Sequence, residues 1–69
     1  MTIAEIGQLV IRRRELLRLR QEDLSEMSGI AIKTIHLIEK GSGNPSIATI
    51  EKLAIVLGLE LMLQVKKTS

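Results

Sequence analysis

"IAIKTIHLIEKG", Ile30 to Gly41, is the stretch whose reading decides the fold of this 69-residue chain. It has the length and spacing of a short helix, Ile32 to Lys40, closed by Gly41. Branched apolar residues crowd both of its faces, and the only histidine of the chain stands in the middle. Residues three and four apart share a helix face. Ile35 and Ile38 therefore fall on one side, expected to be core together with Ile30, which one residue past Gly29 suits the apolar position that folds back on the preceding helix, and Ile32, Lys33, His36 and Leu37 on the other, with Thr34 at the margin.

Working outward, Gly29, Gly41 and Gly58 each follow an apolar-periodic segment, where a left-handed closing residue is needed and a side chain would clash. Upstream, Gln21 to Ser28 reads as a helix with Leu24 and Met27 inward and with Glu22 and Asp23 at the positive end of its dipole. Ile6, Leu9, Val10, Leu16 and Leu17 define a first helix from about Ile3 to Leu17. Downstream, "GSGNPS" is a turn by composition. Ser46 is placed to cap a fourth helix that turns Ile47, Ile50, Leu53, Ala54 and Leu57 inward.

The tail changes period. In "LELMLQVK", Leu59, Leu61, Leu63 and Val65 alternate with Glu60, Met62, Gln64 and Lys66. That is the two-residue repeat of a strand with one buried face, although Leu, Met, Glu and Gln are good helix formers. A lone strand leaves its backbone groups unpaired, so the economical arrangement is a two-fold dimer whose tails pair antiparallel. The expected fold class is mainly α: a compact four-helix domain over residues 1–58, then a dimerisation strand and tail over 59–69.

Composition narrows the function. A domain this small buries only about 60% of its unfolded surface, which favours assembly with a partner copy. Absence of cysteine removes disulfide and thiolate metal sites and fits a reducing cytosol; with a single histidine, zinc sites of the finger type are excluded. No apolar run approaches the roughly 20 residues of a membrane span, so a soluble, cytoplasmic protein without a cofactor is expected. Net charge is only +2, yet Arg12, Arg13, Arg14, Arg18 and Arg20 lie close together and can act as a local positive field or as a solvated helix face. Without aromatic residues there are no stacking platforms for single strands, which leaves duplex DNA as the better nucleic-acid partner. Paired carboxylates, an activated nucleophile and metal ligands are all unconvincing, so an enzyme is not expected.

Helix, short turn, helix with Gly29 between matches the helix-turn-helix arrangement. The chain resembles the lambda-repressor-like, Xre-type helix-turn-helix family in "IGQLVIRRR", "QEDLSEMSGI", "TIHLIEKG" and "NPSIATIEKLAIVLG". The continuation "LGLELMLQV" resembles the dimerising strand of HipB-type antitoxins.

The resemblance implies roles for particular residues. Arg14 and Glu39 occupy positions of an internal ion pair between helix one and the end of helix three. Gln21 matches a glutamine that grips a DNA phosphate at the start of helix two. Ile32, Lys33, His36 and Leu37 match positions facing base edges, although an ordinary surface histidine explains His36 equally well. Thr34, Lys40 and the loop residues Ser42 and Asn44 fall where the family meets the DNA backbone, and Arg20 is a further phosphate contact in place of the usual Ser or Thr cap. Leu59, Leu61, Leu63 and Val65 would form the dimer contact.

Departures from the family pattern bear on these roles. Arg18 replaces a glycine-like turn residue, so helix one is free to run further. Ala31 lacks a capping hydroxyl, a loss of roughly 1 kcal/mol. Ile11, with Ile32 and Leu37, hints at an apolar contact surface. The functional expectation is a dimeric regulator of transcription that binds an inverted repeat in double-stranded DNA, most simply a repressor, with the tail pointing to an antitoxin that also binds a toxin protein. The alternative is a helical protein-interaction module without DNA binding.

Overall fold

The computed structural model describes residues 1–67 as four helices and an irregular tail: α1 (Ile3–Leu16), α2 (Gln21–Ser28), α3 (Ile32–Glu39) and α4 (Ile47–Leu57). Thr68 and Ser69, the end of the expected tail, lie outside the described residues. No described helix is long and apolar enough to cross a membrane.

Local chemistry sets the boundaries. Thr2 starts α1 with a reciprocal box: its hydroxyl accepts from the Glu5 N–H at 3.2 Å, and the Glu5 carboxylate accepts from the Thr2 N–H at 2.8 Å. Arg20 precedes α2 and has no side-chain acceptor, so only the return half of such a box is made, from the Arg20 N–H to Asp23 Oδ2 at 2.8 Å. Ser46 Oγ caps α4 by accepting from the Thr49 N–H. At the end of α3, the Gly41 N–H donates to the Ile38 carbonyl and the Ser42 N–H to that of Leu37, which is a Schellman closure with Gly41 left-handed at φ 75°.

Helix α1 closes the same way without a glycine. Arg18 takes φ 58°, its N–H donates to the Glu15 carbonyl, and the Leu19 N–H donates to that of Arg14. Helix one therefore does not run on past its turn. The motif is imposed on an arginine because Arg14 Nη1 also donates to the Leu19 carbonyl, at 3.0 Å, and pins the turn.

Val10, Leu24, Ile30, Ile35, Ile38, Leu53 and Leu57 form the core, with Ile6, Val56 and Leu59 packed against it. Helix α3 is thus wrapped by its neighbours on the side of Ile35 and Ile38. Four inward expectations fail. Leu16 and Leu17 are exposed because α1 ends there, beyond the reach of α3 and α4. Met27 is exposed because the inward face of α2 is centred between Gln21, Leu24 and Ser28, and at 100° per residue Met27 falls about 90° from that centre. Ile47 is exposed at the first turn of α4.

The tail is the largest correction. No strand forms among the described residues, and Leu59, Leu61, Leu63 and Val65 carry no strand pairing. Leu59 remains partly buried, its N–H closing α4 on the Ala54 carbonyl at 2.8 Å, whereas Leu63 and Val65 are each 99% exposed. The physical reason is the one that made the strand expectation conditional: the chain has no second segment to pair with this one, and a ladder needs two.

Candidate nucleic-acid interface

The outer face of α3 is built by what lies under it. Ile35 and Ile38 are fully enclosed, which fixes the rotation of this two-turn helix and turns Ile32, Lys33, His36 and Leu37 outward. All four are exposed; Thr34 is half-buried. Gly29, left-handed at φ 75°, and the serines before it set the angle between α2 and α3: Ser25 Oγ donates to the Ile30 carbonyl at 2.6 Å, and Ser28 Oγ accepts from the Ile30 N–H. Ala31 makes no side-chain cap, and Thr34 and Ile35 both donate to its carbonyl instead.

Depth is set by a close crossing. A Cβ at Gly7 would collide with the Ile38 carbonyl oxygen and stand 3.2 Å from that of Glu39. One turn earlier, Ala4 lies against Gly41, where an added Cβ would stand 3.2 Å from the Ala4 Cα. The first half of α1 is therefore a bed of small residues for the end of α3 and for the loop that carries Ser42 and Asn44, both of which are exposed.

Orientation is set by one carboxylate. Glu39 Oε2 accepts from Arg14 Nε at 2.8 Å, and Oε1 accepts from Arg14 Nη2 at 3.0 Å and from Gln21 Nε2 at 2.9 Å. The Glu39 hydrogen bond, together with its charge, raises the Arg14 pKa above the ordinary value against a smaller opposing effect of burial. With Arg14 Nη1 on the Leu19 carbonyl, this hub joins α1, the following turn, α2 and α3. Gln21 is thus engaged by one amide hydrogen inside the protein, a partner that sequence reasoning did not foresee. Its backbone N–H, in the first turn of α2, has no intrahelical acceptor.

Arg20 is exposed but faces its own carboxylates, Asp23 at 3.5 Å and Glu22 at 3.9 Å. The Arg20 backbone N–H, followed by its side chain, holds the Asp23 carboxyl below its ordinary pKa. Lys33 and Lys40 make no ion pair among the described residues.

Charge is distributed unevenly in consequence. Between Glu26 and Glu51 the sole carboxylate in the sequence is Glu39, and it is turned inward against Arg14. The exposed surface of α3 and of the loop after it accordingly carries Lys33, His36 and Lys40 with no exposed acid among them. A positive, shallowly apolar helix face of this kind matches the potential and the edge chemistry of a DNA major groove.

A family model described as Helix-turn-helix matches residues 10–63, well over half of the chain. The chain belongs to the Xre, or lambda-repressor-like, helix-turn-helix family. In general terms this helix-turn-helix protein is a DNA-binding regulator of transcription, with double-stranded DNA as its partner. The match takes in the start of the tail as well as the four helices. No curated relative matches the chain.

The roles of two residues, and one contact of a third, escaped sequence reasoning. Gly7 had a signal, a glycine inside a helical pattern, which costs about 1 kcal/mol against alanine and so asks for a packing reason. Arg13, whose Nε donates to the Leu57 carbonyl at 2.9 Å and ties α1 to the end of α4, had none. The Gln21 amide's bond to Glu39 had none either, since it depends on how α2 and α3 meet.

Proposed function

We propose that this helix-turn-helix protein is a sequence-specific repressor that acts as a two-fold dimer on an inverted-repeat operator. The observation that carries the reading is the acid-free outer face of α3, exposed while the carboxylate of the same helix is sequestered by Arg14. In this reading α3 enters the major groove. Lys33 donates to guanine O6 and N7, His36 bonds to a base edge, and Ile32 and Leu37 meet thymine methyl groups. Gln21, through its backbone N–H and its second amide hydrogen, holds a phosphate at the positive end of α2, with Arg20, Thr34, Lys40, Ser42 and Asn44 as further backbone contacts.

Residues 1–58 are the DNA-binding domain and the tail from Leu59 onward is the dimerising element, with Leu59, Leu61, Leu63 and Val65 as its apolar side. Two reading helices about 34 Å apart then occupy successive major grooves and block a promoter sterically. The tail's likeness to HipB-type antitoxins supports a narrower version, an antitoxin that represses its own operon and binds a toxin protein.

Titration of duplex DNA at several salt concentrations tests the reading. Phosphate contacts release counterions, so affinity must fall steeply with salt. A flat or absent response would leave instead a protein-interaction module whose contacts are Ile11, Ile32 and Leu37. Sequencing of duplexes selected from a random pool gives the operator, and a consensus lacking two-fold symmetry would rule out the dimeric mode.

A further inference from the structure

Two incomplete apolar surfaces lie on the same chain. One is a groove between α1 and α4, lined by Ile6, Leu9, Ile50, Leu53 and Leu57 and entered by the chain's own Leu59 and Leu61. It continues past Leu61 into a second hollow bordered by Ile6, Ile47, Ile50, Met62 and Leu63. The tail thus turns back along α4, reaching the level of its first residue, Ile47, at Leu63. The other surface is the end of that tail. Leu63 and Val65 are 99% exposed, and Val65 borders neither hollow. No charge interrupts the segment between Glu60 and Lys66.

A pair of tails joined only to each other does not solve this. A seven-residue ribbon is about 23 Å long, and two strand spacings make it about 10 Å wide, so each face covers roughly 220 Å², against roughly 1,200 Å² or more in total for a stable interface. Two-stranded ribbons are marginal in water unless they pack on a helix. The chain's own tail lines the first groove as far as Leu61, and the hollow around Ile47 lies open beyond it. A two-fold axis supplies the matching piece: what is bare on one copy meets what is open on the other, twice.

From this match we infer that the groove at Ile6, Ile47 and Ile50 is the seat for Leu63 and Val65 of a second copy, so that the dimer is closed by reciprocal exchange of tail ends rather than by tail-to-tail contact alone. The inference rests on the dimeric reading above and specifies its surfaces. It also explains why Ile47, on the inward stripe of α4, is exposed in the single chain.

The chain has no cysteine, so single cysteines report cleanly. Full-length Val65→Cys and Ile47→Cys chains are mixed and oxidised, and a disulfide between the two different chains is the expected main product. Leu63→Glu together with Val65→Glu is expected to halve the mass seen in sedimentation while the helical circular dichroism is kept. Crosslinking of Val65→Cys chains only to each other would overturn the exchange, as would a dimer that survives the double glutamate variant or a wild-type chain that sediments as a monomer. DNA binding, followed separately by fluorescence anisotropy, keeps the two ideas apart: an exchanged dimer that ignores DNA sinks the repressor reading alone, and a DNA-binding dimer whose chains crosslink only from Val65→Cys to Val65→Cys sinks the exchange alone.

Discussion

Arg14 on α1 and Glu39 on the last turn of α3 meet through two parallel N–H···O bonds of 2.8 and 3.0 Å, with only 16% and 7% of their side chains accessible. A bidentate pair so shielded keeps its geometry but returns little net energy, because both ions give up water to form it. What it changes is the charge at the end of α3: without Arg14, the Glu39 carboxylate there would stand uncompensated.

Arg14→Ala strands that carboxylate with Gln21 as its one remaining partner. Removal of one partner from a buried pair costs about 3–5 kcal/mol, and the partial exposure of Arg14 puts this case nearer 2–3 kcal/mol. At roughly 4–8 °C per kcal/mol for a domain of this size, the melting temperature should fall by about 10 °C or more. The double variant Arg14→Met with Glu39→Leu should lose less than Arg14→Ala does. Thermal melts of the three proteins decide it, and equal losses would mean that the charge is not stranded.

Arg18 is left-handed at φ 58° in the Schellman closure of α1. An L-residue there costs about 1–2 kcal/mol, partly offset in a glycine variant by the greater freedom of the unfolded chain. Arg18→Gly should therefore raise stability by up to about 1 kcal/mol, whereas Arg18→Ala should not, since alanine keeps the strain. Chemical denaturation midpoints distinguish them, and identical values for the two variants would place the effect in the charge instead of the backbone.

Gly7→Ala drives a methyl group into the Ile38 carbonyl. Overpacking of this kind costs about 1–3 kcal/mol, more than the helix propensity gained by alanine. Because the same shift pulls Glu39 away from Arg14, DNA affinity should drop along with the melting temperature. A variant as stable as the wild type would show that α1 and α3 can separate without penalty.

Lys33→Ala and His36→Ala should leave the melting temperature near that of the wild type and relax base preference, with about 1–3 kcal/mol of discrimination lost at the position each one reads. Gln21→Ala should weaken binding to all sequences alike, and it should also lower stability, since its amide is bonded to Glu39 at 2.9 Å. Selection of duplexes by each variant provides the comparison. A Gln21→Ala effect confined to one base position would contradict its phosphate role.

Acid should loosen the starts of α1 and α2 first. The backbone N–H of Thr2, then its hydroxyl, lowers the Glu5 pKa, and Asp23 is lowered by the Arg20 N–H and side chain. A carboxylate whose folded pKa is depressed contributes stability that is whole above its ordinary value, 4.5 for Glu5 and 3.8 for Asp23, and is lost as pH falls through the folded value. Glu5→Gln and Asp23→Asn should therefore be less stable than the wild type at pH 7, and the difference should shrink as pH falls from 5 through the folded pKa values, where the wild type loses the same contribution; no difference from wild type at any pH would remove both caps from consideration.

The sequence by itself determined the four helices, three of their closing glycines and the division of α3 into a core side at Ile35 and Ile38 and an outer side at Lys33 and His36. Those features are periodic or local, set by the 3.6-residue turn and by the backbone freedom of glycine, and they can be read without knowing what packs where. Tertiary structure alone decided that Gln21 bonds to Glu39, that Arg13 closes α4 at Leu57, that Gly7 admits the carbonyls of α3, and that Arg18 yields to a left-handed turn held by Arg14. Each of these depends on two segments far apart in the chain meeting at a particular angle, and no spacing in the sequence encodes that angle. The tail marks the same boundary from the other side: its alternation is plain in the sequence, but a strand exists only when a second backbone lies beside it, and one chain does not contain that backbone.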